Sequence, residues 1–156
     1  MKNTLIGFVV GAALTIATVW TTMPSIMISE VASPLGVDET VAKIKANAEA
    51  AGWVIPSIQP LNKAIKKHGG GKLPPIILIN LCQANHAYNT LKNDSDRKIS
   101  IFMPCTISVY QKDDGNTYLA VMNADLLGQM FGGNVAVVMK EVAAAQRGFI
   151  AFATDE

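Results

Sequence analysis

The chain has 156 residues, half of them hydrophobic, and its thirteen basic residues nearly balance twelve acidic ones to give a net charge of +1. That balance excludes the basic patch or stripe expected of a nucleic-acid-binding domain, so we expect no nucleic-acid partner. Two cysteines are too few for a disulfide-dense scaffold. The length suits one domain with an appendage.

The appendage is the N-terminal segment, in which no charged residue occurs from Thr4 to Met23; the next charge is Glu30. Twenty helical residues at about 1.5 Å each match the roughly 30 Å hydrocarbon core of a bilayer. Trp20 lies where an interfacial aromatic residue would anchor the helix. The sequence therefore predicts a transmembrane helix, a membrane anchor or uncleaved signal over residues 1–25.

A cleaved signal peptide is the alternative, but it would have a shorter apolar core and a small-x-small cleavage site. Both candidate sites are poor, because residues 17–19 end in valine and residues 19–21 contain Trp20. Lys2 is the only charged side chain before the span, so the positive-inside rule keeps the N-terminus in the cytoplasm. Anchored or cleaved, the domain is expected on the exported side, periplasmic or extracellular.

The remaining chain, residues 26–152, is predicted as one domain with the element order β-α-β-α-β-α-β-β-β-α. The run at Ile76–Cys82 is continuously apolar, which is typical of a central strand covered on both faces. A hairpin turn at Asp113–Asn116 implies antiparallel pairing, so we expect an α+β fold with helices packed on one face of an antiparallel sheet. The predicted strands cover residues 26–31, 53–58, 76–82, 99–103, 105–111 and 117–123, and the predicted helices cover 38–51, 61–67, 85–91 and 134–152.

The two cysteines are the main chemical lead. Cys82 ends the predicted central strand, and Cys105 follows Pro104 at a strand break. Strand ends cluster in space, so this pattern allows the two thiols to be neighbours. Three interpretations stay open: structural cysteines that are buried or bridged, thiol or sulfur redox chemistry with Cys105 reactive and Cys82 resolving, and ligation of a soft metal or haem.

His86 lies four residues after Cys82, so a helix beginning near Gln83 would point both side chains the same way. Cys, His and Met are ligands of copper(I) and haem iron, which makes Cys82, His86 and Cys105 the candidate metal ligands. The alternative is that His86 is a surface helix residue and that the methionines fill gaps in the core.

The last predicted strand ends at Asn123, and the stretch from there to Gly133 is apolar and punctuated by glycines. Its composition suits a lid, a pocket wall or a dimer contact, and a plain connection into the last helix is equally compatible.

Four segments together resemble the domain of unknown function family 302 (DUF302): CQANHAY at 82–88, MPCTISVY at 103–110, YLAVMN at 118–123 and GQMFGG at 128–133. The resemblance covers about residues 26–150. Where the commoner form has Cys-Asn-Pro, this chain has Cys82-Gln83-Ala84, which together with the Phe-Gly-Gly segment indicates a subgroup. The resemblance implies a TATA-binding-protein-like α+β fold, often a homodimer, and no established reaction. Both cysteines match family positions, which favours the Pro104-Cys105 turn as part of a site.

The sequence thus favours a non-enzymatic binding module, membrane-anchored and exported, that holds a small molecule, metal or haem. We assign no catalytic residue. The alternatives are a thiol or sulfur redox protein and an accessory subunit of a membrane complex that docks through the N-terminal helix. The ligand-binding candidates are Cys82, His86, Pro104, Cys105 and Asn123.

Overall fold

The computed structural model of the chain describes residues 2–154, with side chains described for residues 11, 12 and 14–154. Helix α1 (Lys2–Met27) leads directly into strand β1 (Ile28–Ser33), and every described side chain from residue 11 to residue 26 is exposed. The predicted span over 4–23 therefore lies partly outside the residues whose side chains are described. Within the described part of the chain, no helix is both long enough and apolar enough to cross a membrane.

The five strands form one antiparallel sheet in the order β1-β5-β4-β3-β2, which confirms the predicted α+β fold with an antiparallel sheet. After β1, the elements in chain order are α2 (Val37–Ala50), β2 (Val54–Pro60), α3 (Leu61–Lys67), β3 (Ile76–Cys82), α4 (Ala84–Leu91), a 3₁₀ helix (Asp94–Phe102), β4 (Cys105–Gln111), β5 (Thr117–Met122), α5 (Ala124–Phe131), α6 (Gly133–Ile150) and a short 3₁₀ helix (Ala151–Ala153).

The core is built where side chains of the central strands meet those of α2 and α6, in one continuous cluster. Within β3, Ile79 and Leu81 are fully buried, whereas Leu78 and Asn80 on the opposite face are only half-buried. One face of β3 is therefore fully covered and the opposite face is partly covered. The fully buried strand residues are Ile79, Leu81, Ile107, Val109 and Leu119.

The segment at 99–103 was predicted as a strand, but residues 99–102 belong to the 3₁₀ helix Asp94–Phe102 and Met103 caps that helix. Ile99 is buried and Phe102 packs against the core, while Ile101 between them is 81% exposed. A three-residue spacing of inward side chains matches the 3₁₀ repeat, whereas a strand would bury alternate residues. The five-residue window was too short to separate these two periods.

The glycine-punctuated stretch contains α5, a helix that the sequence analysis missed. The Asn123 side chain caps it by accepting a hydrogen bond from the Leu126 N–H at 3.1 Å. Gly132 and Gly133 then take positive φ angles of 70° and 53°, the left-handed region that favours glycine, and turn the chain directly into α6. The stretch is therefore a short helix followed by a glycine turn into α6.

The strand directions place several chain segments at one end of the sheet. Strands β1, β2 and β4 start there, while β3 and β5 end there: Ile28 pairs with Met122, Val54 pairs with Cys82, and Cys105 begins β4 beside them. Helix α1 joins the domain at this end, which we call the α1 end. Both cysteines lie at the α1 end of the sheet.

Candidate functional site

A cavity of about 470 Å³ lies at the α1 end of the sheet. It is bounded by the start of β2, the end of β3, the start of β4, the 3₁₀ helix, α4 and α6. Its volume falls in the range of roughly 300–1,000 Å³ that is usual for small-molecule sites. Four of the five ligand-binding candidates line it: Cys82, His86, Pro104 and Cys105. The mainly apolar remainder includes Trp53, Leu81, Met103, Val138, Met139 and Val142.

Both cysteines are free thiols, and both are partly buried in the cavity wall. The register of β3 and β4 places Leu81 opposite Cys105, so Cys82 is the next residue along. Burial, assisted by the charge of Cys82, raises the pKa of Cys105 to about 11. At neutral pH Cys105 is thus a protonated thiol, a small apolar surface with a weak donor.

Helix α4 fixes His86 at the wall. The Gln83 side chain caps the helix by accepting a hydrogen bond from the His86 N–H at 2.9 Å, and the Thr90 hydroxyl donates to the His86 carbonyl at 2.9 Å. The imidazole Nδ1 lies 3.3 Å from Glu141 Oε2, and the ring centroid is 5.6 Å from that of Trp53. His86 is therefore a positioned wall residue with contacts to both α6 and the core.

The metal hypothesis needs several donors around one point. Among the described residues, no three His, Cys, Asp or Glu side chains come together in an arrangement that could hold a metal ion. The sulfur donors that share the cavity with the cysteines are Met103 and Met139. The cavity thus carries soft donors on its wall, within a surface that is mainly apolar.

Asn123, the fifth ligand-binding candidate, is not among the residues that line the cavity. Besides capping α5, its side-chain amide donates to the Ile26 carbonyl at 3.1 Å, and its backbone N–H donates to the Met27 carbonyl at 2.8 Å. These bonds fasten the junction of α1 and β1 to the start of α5. The signal for this role was present in the sequence, since asparagine before an apolar helical pattern is a preferred N-cap.

Several wall residues were not singled out from the sequence. Val138, Met139 and Val142 lie within the predicted last helix and are buried, and they also border the cavity. Trp53 was expected only as the start of a strand. No sequence signal separates a core residue that borders a void from one that does not.

Comparison with known proteins places these features in a family. The sequence model of the family described as "Domain of unknown function DUF302" matches residues 29–153. A crystal structure of an uncharacterized conserved protein DUF302 from Bacillus stearothermophilus superposes with a TM-score of 0.73 at 16% identity, covering 82% of this chain and 98% of that one. No curated protein matches the chain. The family match spans most of the sequence, and the chain therefore belongs to the DUF302 family.

Proposed function

We propose that the chain is a membrane-anchored binding module whose cavity takes a small, largely apolar molecule. The observation that carries this is the cavity of about 470 Å³ at the α1 end, into which Cys82, His86 and Cys105 project from three different elements. Small-molecule sites are concave, mostly apolar and carry a few polar groups. The cavity has this kind of lining, which supports its role as a ligand site.

The state of Cys105 favours binding over thiol chemistry. A redox or sulfur-transfer role would need a thiolate at Cys105, because the thiolate is the nucleophile. Burial holds the pKa of Cys105 near 11, so the thiol is protonated in the neutral range. A protonated thiol suits an apolar wall that contacts a ligand.

The membrane part of the proposal is supported by α1. The segment from Thr4 to Met23 has no charge, and side chains such as Ile16 and Trp20 are exposed at 68% and 82%. Large apolar side chains exposed along the described part of a helix require a cover. Lipid supplies that cover for a helix of this length, and Lys2 orients the domain to the exported side.

Replacement of an exposed apolar residue of α1 by arginine tests the anchor. Leu14→Arg places a charge near the middle of the uncharged run, which costs about 2.5–3.5 kcal/mol at the centre of an inserting helix. We expect a clear loss of the protein from the alkali-washed membrane fraction. Lys45→Arg in α2 is the matched control and should leave the distribution unchanged. Equal retention of Leu14→Arg and the parent chain would contradict the anchor.

Filling the cavity tests the ligand site. Ala87 lines the cavity, whereas Ala84 on the same helix is exposed and does not. In the full chain carrying Trp20→Phe, Trp53 is the only tryptophan, and it reports on the cavity. We expect 4-bromobenzyl alcohol to quench Trp53 saturably in this chain. Ala87→Phe should abolish the saturable quenching because the added ring occupies the space, and Ala84→Phe should retain it.

The control for this experiment is the thermal unfolding of both phenylalanine variants, which separates a blocked cavity from a misfolded domain. Similar unfolding midpoints with quenching lost only in Ala87→Phe support the site. Saturable quenching that is equal in the two variants, or absent from the parent chain, would show that the cavity does not bind the probe.

A further inference from the structure

Helix α1 and the cavity occupy the same end of the domain, and they are joined without a linker. Met27 ends α1 and Ile28 begins β1. Asn123 donates hydrogen bonds to the carbonyls of both Ile26 and Met27, so the last turn of α1 is tied to the start of α5. The described side chains of α1 before Met27 are all exposed, so the helix projects from the domain rather than folding back over it.

This junction sets how far the domain lies from a bilayer that α1 spans. If the part of α1 within the hydrocarbon core ends at Met23, the four helical residues before Ile28 add about 6 Å at 1.5 Å each. The polar headgroup layer on each side of a bilayer is roughly 5–8 Å thick. The first strand therefore starts at the level of the headgroups, and the α1 end of the sheet faces the membrane.

Large apolar side chains are exposed at the α1 end, which suits a surface that lies against a bilayer. Ile28 is 55% exposed, Val54 is 59% exposed and Ile101 is 81% exposed. Val54 is the partner of Cys82 across the sheet, and Ile101 lies between the cavity residues Ser100 and Met103. Single exposed apolar side chains are ordinary, but these three lie at the end of the domain that carries both α1 and the apolar cavity.

We propose that the α1 end rests on the bilayer and that the cavity takes its ligand from the lipid phase. The ligand class is an apolar, membrane-soluble molecule with a hydrocarbon part that fits the space lined by Trp53, Met139 and Val142. This inference rests on the proposed function and adds to it the source of the ligand and the surface through which it arrives. If a protein partner or a second copy covers Ile28, Val54 and Ile101 instead, the experiment below should show no preferential contact of Ile101 with lipid.

The first arm locates the α1 end. The full chain with Trp20→Phe is reconstituted into phosphatidylcholine vesicles whose acyl chains are brominated, and Ile101→Trp is compared with Leu73→Trp. Leu73 is a matched control, since it is also apolar and exposed but precedes β3 at the opposite end of the sheet. We expect a several-fold larger loss of the added emission for Ile101→Trp. Equal quenching at the two positions would overturn the proposal.

The second arm tests delivery from the lipid phase. Dibromostearic acid is added to unbrominated vesicles that hold the Trp20→Phe chain, and Trp53 emission is followed. We expect saturable quenching that Ala87→Phe removes and Ala84→Phe retains. If 4-bromobenzyl alcohol from water still reaches Trp53 but dibromostearic acid does not, the lipid-phase source is overturned while the binding cavity stands. If neither probe reaches Trp53, the proposed function fails with it.

Discussion

Cys105 is expected to react with iodoacetamide at neutral pH at least about tenfold more slowly than a thiol whose pKa is 9.0. The thiolate is the reacting form, and burial, assisted by the charge of Cys82, raises the pKa of Cys105 from 9.0 to about 11. A difference of about two pKa units lowers the thiolate fraction by a factor of about 100, and the greater nucleophilicity of the more basic thiolate offsets up to about tenfold of that factor. The rate should therefore rise about tenfold for each pH unit and show no plateau below about pH 11.

Mass spectrometry of Cys82→Ser, in which Cys105 is the only cysteine, measures this rate from neutral pH upward. Removing Cys82 also removes its charge, so the pKa of Cys105 should fall slightly in this variant and stay above 9.0, because burial is the larger cause. Cys105→Ser is the matched control. A plateau that begins near pH 9 would show that Cys105 is not shifted and would reopen the reactive-thiol hypothesis.

The raised pKa of Cys105 also makes the free energy of unfolding depend on pH. The native state holds the Cys105 proton more tightly than the unfolded chain does, so this group's contribution to stability is fully present below about pH 9. It is lost as the pH rises through the range from about 9 to about 11, where the unfolded thiol ionises and the native thiol does not. Cys105→Ser should flatten that part of the stability profile.

The sequence predicted the fold best where pattern and turn chemistry agree. The strand Ile76–Cys82 and the helix Leu61–Lys67 have the predicted bounds, and the turn at 113–116 joins β4 and β5 as an antiparallel hairpin. The prediction failed at 99–103, where the two-residue repeat of a strand and the three-residue repeat of a 3₁₀ helix fit equally well. It also failed at Ala124–Phe131, where glycines near the end of the segment concealed a helix of only eight residues.

The site was predictable only in part. Cys82, His86, Pro104 and Cys105 were chosen for their residue types and family positions, and the structure places all four on one cavity. The cavity itself depends on how α6 packs against α4 and the end of β3, which no local pattern encodes. Asn123 was also a ligand-binding candidate, yet its bonds to Ile26 and Met27 exist only because α1 and α5 meet at that corner.

The close packing of α5 against α6 makes Gly128 a sensitive position. A Cβ atom at Gly128 would lie 2.6 Å from Met139 Cβ and 3.2 Å from Ala136 Cα, so α5 and α6 must separate to admit it. We expect Gly128→Ala to lower the free energy of unfolding by about 1–2 kcal/mol. Overpacking a core costs about 1–3 kcal/mol, and the gain in helix propensity of about 0.5–1 kcal/mol offsets only part of it.

Urea denaturation of Gly128→Ala and Gly148→Ala measures this effect with a matched control. Gly148 is also inside a helix, α6, but it is exposed and an added Cβ would meet nothing within 4 Å. Gly148→Ala should therefore raise stability by about 0.5–1 kcal/mol. Because Met139 also lines the cavity, the displacement caused by Gly128→Ala should weaken quenching of Trp53 by 4-bromobenzyl alcohol, while Gly148→Ala leaves it intact. Stabilisation by both substitutions would mean that α5 and α6 are not in close contact at Gly128.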